Sequence, residues 1–165
     1  MKRILLLVLT ITISSIASAQ YESSIGVMYG KEGMGLTFKK FLQPEQNIQI
    51  NALYVQDNFA RGGLLVGLYE FHKEIHSSTL HTTSLSWSFG GGFHTAYWMT
   101  KATNETSAFK IGIDGVLGAD YNLEFVPLTI GAQIRPYVQY NTGDLTNNNR
   151  YYNMDYALML RYIIQ

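Results

Sequence analysis

The stretch IGIDGVLGADYNLEFVPLTIGAQIRPYVQYN, residues 111–141, decides the fold class. Apolar side chains recur at alternate positions on both sides of Val126-Pro127. Ile111, Ile113, Leu117, Tyr121 and Phe125 precede it, and Leu128, Ile130, Ala132 and Ile134 follow it. The opposite parity carries Lys110, Asp114, Asp120 and Glu124, then Thr129, Gln133 and Arg135. A period of two belongs to extended backbone, whose side chains point alternately to opposite faces, and not to the 3.6-residue turn of a helix. The segment therefore reads as two antiparallel strands joined by a tight turn, each apolar on one face and charged on the other. Both are long enough for the about 9 to 11 residues that a tilted strand needs to cross a bilayer. Pro136 has no amide hydrogen to give to a ladder, so a bulge or local gap is expected there.

The same period runs outward along the chain. Ile25, Val27 and Tyr29 form one alternating face, and after GKEG the pattern resumes with Leu36 and Phe38. LQPEQ, residues 42–46, reads as a turn, beyond which Ile48, Ile50, Ala52 and Tyr54 alternate with Gln49, Asn51, Leu53 and Val55. Residues 64–71 form a fourth strand that is apolar at both parities, closed by HKEIHSST. The fifth runs from about residue 83 to 98, the sixth over 110–125 and the seventh over 128–140. An eighth, over 151–164, alternates Tyr152, Met154, Tyr156, Leu158, Leu160, Tyr162 and Ile164. Twelve tyrosines, eight phenylalanines and 15 glycines against three prolines suit many strands.

The amino terminus sets the compartment. Lys2 and Arg3 precede the apolar run ILLLVLTITI, and Ala17-Ser18-Ala19 has the small-x-small form that signal peptidase reads. Residues 1–19 are thus expected to be a signal peptide and residues 20–165 one domain. No cysteine is present to supply a lipid anchor or a disulfide. Without Lys2 and Arg3, 10 basic residues face 12 acidic ones, a net charge of −2 that excludes a general nucleic-acid binder.

Eight antiparallel strands close either into a soluble barrel or sandwich with apolar side chains inward, or into a membrane barrel with them outward. The long charged faces favour the second, because a small barrel turns them into an interior where ions must be paired. Parity assigns Lys39, Glu70, His94, Lys110, Asp114, Asp120, Glu124, Gln133, Arg135, Asp155 and Arg161 to that interior as a structural polar network. Five acids then face four bases. Folding about Val126-Pro127 sets Asp120 roughly opposite Gln133 and diagonal to Arg135. In FGGGFHTAYW, residues 89–98, Gly90, Gly92 and His94 share the inward parity, the glycines leaving room for Arg135 and Arg161. Trp87, Tyr97, Trp98, Tyr121 and Tyr162 are expected in two aromatic girdles.

GLLVGLYEFHKE (residues 63–74), FGGGFHTAYW and residues 111–141 together resemble the small outer-membrane β-barrel proteins common in Bacteroidota, of OmpX and OmpA-barrel architecture. The turn-and-glycine pattern over residues 112–127 is the most specific part. The resemblance implies an eight-stranded antiparallel up-and-down transmembrane barrel in the outer membrane, and for most members no assigned activity. The alternation of the last strand is the form that barrel insertion machinery reads, although Ile164 and Gln165 stand where an aromatic residue usually closes such a chain.

Outer-membrane lipid, the insertion machinery and an extracellular protein met through the loops are the expected partners of a monomer, with no cofactor and no metal. Two classes of function remain, a structural or interaction barrel and a narrow channel for ions or small solutes. Eight strands leave an interior just wide enough for side chains, which favours the first. A lipid A-modifying enzyme would need His76 and Ser78, in HSS, to act together, yet no carboxylate is placed to orient the imidazole. His72 and His76 lack a third metal ligand. A soluble lipocalin-like binder is the competing fold. The amino terminus and the turns near Leu42, His76 and Val126 are expected on the periplasmic side.

Overall fold

Eight strands follow one another in chain order: β1 (Ser23–Gly30), β2 (Met34–Gln43), β3 (Gln46–Gln56), β4 (Ala60–Glu74), β5 (Leu85–Thr100), β6 (Ser107–Asn122), β7 (Leu128–Thr142) and β8 (Arg150–Ile164). They come from a computed structural model that describes residues 23–56, 60–75, 85–100, 107–123, 125–142 and 150–164. Each strand pairs antiparallel with its neighbour, and β8 returns to pair with β1, so the sheet closes into an up-and-down barrel. Stepping between paired residues from Gly26 leads through Thr37, Asn51, Val66, His94, Gly112 and Gln139 to Tyr151. β8 nevertheless meets Gly26 at Arg161, a stagger of ten residues (151 to 161) that tilts the strands about the barrel axis.

One parity of every strand faces in and the other faces out. Lys39, Glu70, Asp114, Arg135 and Arg161 point inward and are 3% exposed or less. Ile25, Leu36, Ile50, Leu65, Phe93, Ile113, Ile134 and Leu158 point outward and are exposed. This is the reverse of a soluble core. The inside is not polar throughout, however. Leu53, Val55, Leu64, Val66 and Leu68 of β3 and β4 pack inward with Met28, Ala96, Val116 and Met159 as a hydrophobic core. The double-apolar parity of residues 64–71 thereby finds its physical reason: both faces of β4 meet apolar surroundings there.

β6 begins at Ser107 and ends at Asn122, so Phe125 lies in the turn rather than on the strand, 95% exposed. At Pro136 the ladder to β6 is interrupted. Asp114 pairs with Tyr137 and Leu117 with Ile134, with no paired residues between them and the same register on both sides. The missing amide thus makes a gap rather than a bulge.

The inward glycines of β5 serve a different purpose from the one expected. A Cβ on Gly90 would lie 2.0 Å from the Tyr69 carbonyl oxygen, and one on Gly92 would lie 1.9 Å from that of Gly67. Backbone of β4 fills these spaces, not Arg135 or Arg161. Room for inward side chains comes from Gly112, against the His94 ring, and from Gly131, against Asp120 and Arg161. Gly92→Val should therefore force β4 and β5 apart and reduce the folded fraction sharply. Gly63→Ala, whose new methyl would meet nothing within 4 Å, should leave it unchanged. Circular dichroism and gel mobility of refolded protein check both.

Candidate functional site

Among the described residues, the inward charges other than Lys110 form two separate clusters. Near the end where β1 starts and β8 finishes, Lys39 Nζ donates to Asp120 Oδ2 at 2.9 Å and lies 2.9 Å from Glu70 Oε2. Arg161 donates to the other oxygen of Asp120 and, at 3.1 Å, to Gln49 Oε1. Two cations meet two carboxylates, each supplied by a different even-numbered strand, so the charge balances across the lumen. Gln49 Nε2 donates to Gln133 Oε1 at 2.8 Å and ties β3 to β7 beside this cluster.

The second cluster lies toward the other end and is acid-rich. Arg135 donates to Asp114, to Asp155 at 3.1 Å and to Glu32 at 2.9 Å. His94 Nδ1 is 2.9 Å from Asp114 Oδ2, and its ring stands edge-on to Tyr137 at 5.2 Å. The Tyr137 hydroxyl donates to Glu32. Glu32 belongs to the turn between β1 and β2, and its amide donates to Asp155 Oδ1 at 3.3 Å. Three carboxylates thus share one guanidinium, with His94 as a further hydrogen-bond partner of Asp114.

This arrangement corrects several expectations. Asp120 pairs with Gly131, and Gln133 pairs with Gly118. Asp120 therefore takes Lys39 and Arg161, while Arg135 belongs to the other cluster. Lys110 faces inward but sits 4.2 Å from the centre of the Trp98 ring. Trp98 itself lies on the inward row of β5 against the hydrophobic core, not in an outer girdle. Trp87, Tyr121 and Tyr162 face outward toward the end with Ser23 and Ile164, and Tyr97 faces outward toward the opposite end. Trp87 stacks on Phe89 at 5.4 Å. Glu124, His76, Ser78 and the signal segment lie outside the described residues. His72 stands edge-on to Phe41 at 4.9 Å.

Glu32, Tyr137 and Gln49 were not singled out from the sequence. Parity along β3 places Gln49 inward between Ile48 and Ile50, but that row of β3 carries no charge to mark it as part of the network. Glu32, in GKEG, sits in a turn where alternation gives no face.

With this geometry, the chain is similar to the N-terminal β-barrel domain of Pseudomonas aeruginosa OprF. The TM-score is 0.64 at 10% sequence identity, covering 88% of this chain and 100% of that one. The shared fold is an eight-stranded antiparallel barrel. Acinetobacter baumannii CarO aligns with a TM-score of 0.48 and 9% identity over 86% of this chain and 97% of that one. No family model matches the sequence, and no curated protein does.

The two clusters should respond differently to loss of a carboxylate. Asp120→Asn leaves Arg161 without a carboxylate in a closed interior and should cost about 3–5 kcal/mol. Asp155→Asn leaves Arg135 with Asp114 and Glu32 and should cost clearly less. Equilibrium urea unfolding of both variants checks the order.

Proposed function

We propose that the chain is an outer-membrane β-barrel of structural or interaction type, related in architecture to the small barrels of Bacteroidota. In this reading the signal segment is cleaved near Ala19, insertion machinery folds the barrel, and the monomer braces the membrane while its loops meet an extracellular partner. The observation that carries it is the apolar outer surface. Phe93 is 71% exposed, Ile113 75% and Leu117 53%, and outward apolar residues recur on all eight strands. Monomers in water rarely leave so large a contiguous apolar surface uncovered. A lipid environment is its natural solvent.

The interior supports plugging over transport. Lys39 of β2 crosses to Asp120 of β6 in a lumen that eight strands leave only side-chain-wide, and Arg161 and Arg135 are held beside carboxylates of nearby strands. No catalytic activity is proposed. A narrow channel is the alternative, favoured by the acid-rich cluster around Arg135, which would admit cations before anions if the lumen opened.

Cell fractionation tests the location. The protein should sediment with outer membranes, need detergent for release and migrate differently before and after boiling; release into the soluble periplasmic fraction would contradict the reading. In planar bilayers the folded protein should give no reproducible unitary steps, and regular cation-selective steps would replace the plugged barrel with the channel.

A further inference from the structure

The outer face of β6, β7 and β8 is not uniformly bulky. Ala119 and Ala132 are directly paired across β6 and β7, and Ala132 is paired in turn with Leu158. Around this two-alanine floor, Trp87, Leu117 and Tyr156 stand as walls and enclose a groove of about 750 Å³. The groove extends past Tyr29 to Lys31, in the turn between β1 and β2.

Among the described residues lining the groove, Lys31 is the one that carries a charge. Its Nζ donates to Asn153 Oδ1 at 2.9 Å and to the Met154 carbonyl at 3.2 Å, which holds it beside β8 with a third N–H to give. The neighbouring Glu32 does not cancel its charge, because that carboxylate is turned inward to Arg135 and Tyr137. An apolar trough ending at a positioned ammonium matches a molecule with a hydrocarbon chain at one end and an anion at the other.

From this we infer a binding site for a phosphorylated lipid of net negative charge, with one acyl chain along Ala119 and Ala132 and its phosphate on Lys31. It rests on the membrane reading above. Lys31 follows the end of β1 opposite Ser23, and with the amino terminus on the periplasmic side, as expected from the sequence, its turn faces outward. The occupant is then a phosphorylated glycolipid of the outer leaflet whose chain runs from Lys31 toward Trp87.

Native mass spectrometry of the detergent-purified barrel tests it, with added monophosphoryl lipid A and with zwitterionic phosphatidylethanolamine as the comparison. The barrel should retain the phosphorylated glycolipid preferentially. Lys31→Gln should weaken retention about fivefold, the share of one lysine near a lipid phosphate. Ala132→Leu, or Ala119→Leu where the first variant folds poorly, should fill the floor and weaken retention of both lipids. Equal retention of the two lipids by wild type, retention unchanged by Lys31→Gln, or a dimer in place of a lipid adduct would each overturn the site. The boiling-dependent gel shift of the same samples reports the folded barrel independently, so failure of this site is distinguishable from failure of the membrane reading.

Discussion

A closed wall of eight strands encloses a space only as wide as its own side chains, and a charge turned into that space must find an opposite charge there or unfold the wall. The rest of the structure follows from that constraint. Lys39, Glu70, Asp120 and Arg161 come from β2, β4, β6 and β8, one from each even-numbered strand, and meet as a layer across the lumen. Such a layer acts as a crossbar. It ties strands that are not neighbours in the sheet, and it is satisfied only when the barrel is closed with this stagger.

The second cluster is built differently. Arg135, Asp114, Asp155 and His94 come from β5 to β8, and Glu32 reaches them from the turn between β1 and β2. The turn is thereby fastened to the inner wall formed by β7 and β8. Opposite this acid-rich side, β3 and β4 contribute Leu53, Val55, Leu64, Val66 and Leu68, which fill the lumen without any call for pairing. The interior thus combines a balanced ionic layer, an acid-rich cluster and an apolar side, while Thr129, Gln133, Arg135, Gln139 and Asn141 keep the inward row of β7 polar.

Most of the fold was legible in the sequence because alternation is a local property. Ile111 to Ile134 declare their face by their neighbours alone, and eight such segments without a helix leave few architectures. Pairing partners were not legible to the same degree. Asp120 and Arg135 look close when β6 and β7 are folded about Pro127, yet the long-range partners Lys39 and Arg161 arrive through closure and stagger, which no single hairpin contains. Trp98 illustrates a second limit. Its aromatic character suggested an interface, whereas strict parity with His94 and Ala96 places it inside. Glu32 illustrates a third, since a turn residue has no alternation to reveal where it points.

The central claim is that one parity of each strand faces lipid while the other faces a filled lumen. The chain has no cysteine, so single cysteines can be placed at will for labelling with a fluorophore in brominated-lipid vesicles. Labels at Tyr156, Leu158 and Leu160 should be quenched by the lipid, and labels at Ala157 and Gln139 should not. Quenching absent at both parities, or equal at both, would contradict an outward-facing apolar barrel.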